Sequence, residues 1–146
     1  MKKRWIVLLS IILVVLVYFQ TDAYATAKRN AVKTLKHQIA GLRKNGGGID
    51  ARLMEGWCCI ISNADDMQFV LDYIKSSSAD RFARLPFVYC KACTPWEVKA
   101  GEIELRVCPG HFHFSGVFSR SYSVSAEISD KMMEFLRTFE RIDVLE

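Results

Sequence analysis

The chain has 146 residues, the length of one domain, and a formal net charge of +4. Lys2, Lys3 and Arg4 supply most of that excess, and the nearly balanced remainder excludes the clustered basic face of a nucleic-acid reader. Five cysteines (Cys58, Cys59, Cys90, Cys93 and Cys108) cannot all pair within one chain, which excludes a fully disulfide-linked framework.

The first element is apolar. Residues 5–21 carry no charge, and 5–19 are nearly all hydrophobic. A membrane span takes about 20 apolar residues, and a signal-peptide core takes about 7–15. Ala23-Tyr24-Ala25 has the small-x-small pattern of a cleavage site. Trp5 and the Tyr18/Phe19 pair stand where interfacial aromatics would anchor a span. Residues 1–25 are therefore expected to form a signal anchor, with a cleaved signal peptide as the alternative. The cations before the run lie closer to it than those after, which favours a single-pass membrane protein with its domain outside the cytoplasm.

Residues 26–48 read as an amphipathic basic helix and a Gly-rich joint. Ala31, Leu35, Ile39 and Leu42 recur at helical spacing. Lys28, Arg29, Lys33, Lys36, Arg43 and Lys44 make its solvated face, and Asn45 with the three following glycines stops it. The glycines are not followed by the Gly-Lys-Ser/Thr that a phosphate-binding loop requires.

Residues 49–146 are expected to form an α+β domain with a mainly antiparallel sheet. "WCCIIS" is a short buried strand. "NADDMQFVLDYIKSS" is a helix capped by Asn63 or Ser62, with Met67, Val70, Leu71 and Ile74 as its inner stripe. Asp65 and Asp66 suit the positive end of that helix and point about 100° apart, which argues against paired acid–base work. Strands are expected at "LPFVY", "EIELRV", "FHFSGVFS" and "SYSVSAEI", with turns at residues 99–101 and at Pro109-Gly110. A helix from Ser129 or Asp130 and a last short strand, "IDVLE", close the chain.

The chemistry-bearing stretch runs from Cys90 to His113. Cys90 and Cys93 are two residues apart, as are Cys108 and His111. Two such turns can bring four ligands to one tetrahedral zinc. The stretch resembles a zinc ribbon, with Cys90, Cys93, Cys108 and His111 at the ligand positions and His113 as substitute for His111. Thr94 stands where that family's first turn has glycine, and a histidine stands at the last ligand position. Buried thiols beside surface histidines, and a Cys90–Cys93 or Cys93–Cys108 disulfide, are the alternatives. Thr94-Pro95 does not open the helix that a redox Cys-x-x-Cys needs, and Thr94 replaces the histidine of a haem attachment motif. Cys108 and His111 lack an identifiable third residue to make a nucleophilic site.

The tail has a second likeness. Ile128, Asp130, Met133, Leu136, Phe139, Ile142 and Val144 follow the spacing of a leucine-rich repeat beginning I-x-D-x-x-L, and the tail resembles one turn of that family. The apolar N-terminus, the Ala31-Val32-x-x-Leu35 helix and the glycines before Ile49 resemble the layout of membrane-anchored repeat proteins. The resemblance implies a helix followed by a strand. A solenoid needs about three repeats, so the lone tail repeat must pack on the preceding sheet, with Leu136 and Phe139 buried.

Together these readings describe a non-enzymatic, membrane-anchored interaction or structural module without a cofactor. Its expected partners are the membrane and a protein, not nucleic acid. A zinc-binding module and an exported disulfide-containing protein are the alternatives.

Overall fold

A single helix, α1 (Lys2–Lys44), takes up the beginning of the chain in the computed structural model, which describes residues 2–48, 52–56, 58–79, 94–115 and 121–140. The apolar N-terminal run and the amphipathic basic segment are one helix of 43 residues, about 65 Å long at about 1.5 Å per residue. Its two halves live in different surroundings. In the second half Ala31, Leu35 and Ile39 are buried in the core, at one side chain per turn. In the first half every residue from 5 to 18 except Ser10 is a large exposed hydrophobe.

The expected membrane span is corrected. Among the described residues no helix is long and apolar enough to cross a membrane. The exposed apolar run of residues 5–18 rises about 21 Å, against about 30 Å of bilayer hydrocarbon. This overturns the transmembrane and signal-anchor readings and, with them, the single-pass placement of the domain outside the cytoplasm.

The helix ends as its glycines dictate. Gly46, at φ 96°, takes the left-handed position. Gly47 N–H donates to the Leu42 carbonyl at 2.7 Å and Gly46 N–H to that of Arg43 at 3.5 Å, which is the paired Schellman closure. Gly48, at φ 88°, passes so close to the backbone of Ser62 that a Cβ there would stand 2.8 Å from the Ser62 carbonyl oxygen.

Among the described residues seven strands form one sheet: β1 (Arg52–Glu55), β2 (Cys58–Ile61), β3 (Ser78–Ala79), β4 (Trp96–Ala100), β5 (Ile103–Cys108), β6 (His111–Phe114) and β7 (Tyr122–Ser123). Their order is β1-β2-β4-β5-β6-β7-β3. Every pairing is antiparallel except β2 with β4, and helix α2 (Ala64–Ser76) follows directly from β2. The α+β class and the mainly antiparallel sheet match the sequence expectation. Strands β1, β3 and β4 were not foreseen. The "LPFVY" and "IDVLE" segments lie outside the described residues. The "SYSVSAEI" segment pairs only at Tyr122 and Ser123, because Ser125 caps helix α3 (Ala126–Glu140) and starts it earlier than expected. The Ser125 hydroxyl accepts from Ile128 N–H at 3.4 Å.

Period-two alternation sorts the sheet into two faces. Cys59, Ile61, Val98, Leu105, Val107, Phe112, Phe114 and Tyr122 point into the core, all buried. Phe112 stacks on Tyr122 with centroids 5.2 Å apart, and Tyr73 of α2 approaches Phe112 at 5.1 Å. Helix α3 closes the core with Met132, Leu136 and Phe139, each fully buried. Phe135 meets Phe69 of α2 at 4.6 Å. The burial expected of Leu136 and Phe139 is therefore present.

Candidate functional site

The β5–β6 hairpin carries the half of the Cys/His set that the structure describes. Its two-residue turn, Pro109-Gly110, sets Cys108 directly opposite His111. Cys108 is buried at the hairpin end. His113 stands instead opposite Arg106. A guanidinium beside an imidazole repels a cation, so of the two histidines His111 is the one placed to share a ligand with Cys108. Cys90 and Cys93 lie outside the described residues. Among the described residues no cluster of three or more His, Cys, Asp or Glu side chains forms a metal site, and no disulfide joins two of the described cysteines.

The same alternation lines up a polar row on the open face of the sheet. Cys58, Glu97, Arg106 and His113 are successive register partners across β2, β4, β5 and β6. Arg106 Nη2 meets Glu97 Oε1 at 3.4 Å, and Lys99 meets Glu104 at 3.6 Å in the next row. Burial, then Arg106, then His111 lower the His113 pKa below its ordinary value. Burial, then Glu97 and Glu104, raise that of Cys58, against the opposing pull of Lys99. A thiol shifted upward stays protonated and is a poor nucleophile. Cys58 and His113 are separated by three strand spacings, about 14 Å. They cannot form a nucleophile–base pair.

The other carboxylate pair is structural, as its position suggested. The Asn63 side chain accepts from Asp66 N–H at 2.7 Å, and its amide donates back to the Asp66 carboxylate at 2.7 Å. Asp65 is exposed and 3.8 Å from Arg43. This is a reciprocal helix cap.

Two surface features remain. The first is the arm of α1. Between the Trp5 and Tyr18 at its ends the arm's one polar side chain, Ser10, donates its hydroxyl to the Ile6 carbonyl at 2.9 Å, so the segment offers apolar surface on every side. The second is an open cleft of about 460 Å³ where α1 crosses the end of β2 and the β4–β5 turn. Leu42, Ile61 and Met67 line it, with His37 and Lys99 also on its wall. Sequence reading missed this cleft because its walls come from four separate elements. The basic face of α1 was legible, except that Lys28 is turned onto the end of α2, where it donates to the carbonyls of Ser77 and Lys75.

Comparison of the chain with protein-family models, with curated proteins and with solved structures finds no match. The leucine-rich-repeat and zinc-ribbon resemblances rest on the residues of this chain alone.

Proposed function

We propose that the protein is a non-enzymatic interaction module in which the α+β domain presents the arm of α1 to helices of partner chains. The observation that carries this reading is the unbroken exposure of large hydrophobes along residues 5–18 of a helix whose second half is anchored in the core. Burying one such side chain contributes about 1.5–3 kcal/mol. Five of them contribute on the order of 10 kcal/mol, comparable with the roughly 4–15 kcal/mol that association costs. A helix apolar on one stripe suits a flat surface, whereas one apolar all round must be enclosed. Surrounding helices satisfy that requirement.

In a purified sample the helices available are those of the chain's own copies. Sedimentation of the full chain is therefore expected to show assemblies. A Leu9→Glu/Leu13→Lys double variant keeps helical propensity and net charge, adds a favourable i,i+4 pair, and should sediment as a monomer with unchanged domain melting. A native chain that stays monomeric with the arm exposed would overturn the reading.

A second reading is zinc binding, favoured by the placement of Cys108 opposite His111 at one tight turn. Metal analysis of the purified chain tests it directly. One zinc per chain, lost in Cys108→Ser, supports it, and a metal-free chain from zinc-replete expression refutes it.

A further inference from the structure

The arm of α1 carries a groove on one side and unlike charges beyond its two ends. The groove is a shallow depression of about 320 Å³ lined by Ile6, Val7, Ser10, Ile11, Val14 and Val15. Ser10 is the small side chain at its middle, with its hydroxyl already committed to the Ile6 carbonyl. Such a surface takes an apolar knob from a facing helix.

The ends add charge. Lys2, Lys3 and Arg4 open the helix, Lys3 and Arg4 are exposed, and no acidic residue occupies the first turn. Three cations at the positive end of a helix repel one another and the helix dipole. The first charged residue beyond the other end of the apolar run is an acid, Asp22.

Ile12 is the midpoint of the apolar run of residues 5–19. Two arms laid antiparallel about that midpoint set position 14 of each level with position 10 of the other. The larger Val14 then faces the groove at Ser10, twice, by two-fold symmetry. Lys3 and Arg4 come level with positions 21 and 20, about 1.5–3 Å along the axis from position 22. A parallel pair does neither: Ser10 would face Ser10, and the two cationic ends would share one level. The antiparallel arms also have room. Among the described residues α1 first packs on the core at Ala27, five positions beyond the level at which the other helix begins.

We infer that the occupant of the arm is the arm of a second copy of this chain, running antiparallel and centred on Ile12. Val14 of each copy enters the groove at Ser10 of the other, and position 22 of each stands at the cationic start of the other. Further copies cover the remaining apolar sides of the arm in the same way. The inference rests on the reading of the arm as an assembly surface and adds the partner and its direction.

Sedimentation equilibrium of the full chain with charge-swapped variants tests this. Lys3→Glu/Arg4→Glu sets acids against Asp22, and Asp22→Lys sets a cation against Lys3 and Arg4. Each should weaken association about tenfold, since two equivalent contacts change per pair of arms. The variant carrying all three changes restores opposite charges between antiparallel arms but not between parallel ones, and should associate as tightly as the native chain. Domain melting should be the same for all four proteins. If the native chain assembles but the parent variants associate as tightly as it does, or the triple variant is no tighter than its parents, the antiparallel pairing is overturned and the assembly reading stands. A native chain that stays monomeric would overturn both and give the arm another occupant.

Discussion

Lys28 Nζ donates to the backbone carbonyl of Ser77, 49 residues further along the chain. Ser77 is the C-cap of α2, and the same ammonium also reaches the Lys75 carbonyl at 3.3 Å. The negative end of α2 is thus neutralised by a cation from α1. Burial lowers the Lys28 pKa below the ordinary lysine value. Lys28→Met keeps the aliphatic stem and removes the cation, and is expected to cost about 1 kcal/mol in urea unfolding. Lys33→Met, on the exposed face, is the control and should be neutral. Equal effects from the two variants would show that the cap carries no stability.

Tyr73 is buried, and its hydroxyl has no hydrogen-bond partner among the described residues. Tyr73→Phe should therefore stabilise the protein by about 1 kcal/mol at neutral pH, since an orphaned buried hydroxyl carries its desolvation cost uncompensated. Burial, and then Cys108, push the Tyr73 pKa well above its ordinary value. The folded chain therefore holds this proton at pH values where the unfolded chain releases it, so stability falls as pH rises above about 10. Tyr73→Phe abolishes that component, and the gap between variant and native chain should widen from pH 9 to pH 11. A variant less stable than the native chain at pH 7 would mean that the hydroxyl is satisfied.

Leu136 is fully buried on α3 and Met133, one turn earlier, is half-buried. Leu136→Ala is expected to cost about 2–5 kcal/mol, and Met133→Ala clearly less. Thermal melts that do not separate the two would show that α3 is not docked through Leu136.

Gly47 and Gly48 have nearly the same backbone angle, φ 89° and 88°. A Cβ at Gly47 would meet nothing within 4 Å, whereas one at Gly48 would strike the Ser62 carbonyl oxygen at 2.8 Å. Both alanine variants incur the left-handed penalty of about 1–2 kcal/mol. Gly48→Ala should incur more, because backbone must move. Equal melting temperatures for the two would show that α1 and the exit of β2 are not held at this approach.

The local signals in the chain were read reliably where one element decides them. The stripe of α2, the Asn63 cap, the glycine stop of α1 and the Pro109-Gly110 turn each depend on residues within a few positions. β1 escaped notice because it is four residues long and carries both charge and apolar side chains. β4, "WEVKA", lay inside a segment read for its cysteines. The apolar N-terminus was legible as hydrophobic, but its length left the span reading open to correction.

What the sequence determined by itself was period and punctuation: which side chains share a helix face, which residues alternate on a strand, and where helices begin and stop. Hydrophobic spacing suffices for that, because one face of each element must leave water. Tertiary structure decided the partners. It put Lys28 on Ser77, Cys108 opposite His111, Arg106 opposite His113, and four elements around the cleft beside α1. Strand order and register arise from burying all the inner faces at once, and no local pattern specifies that joint solution.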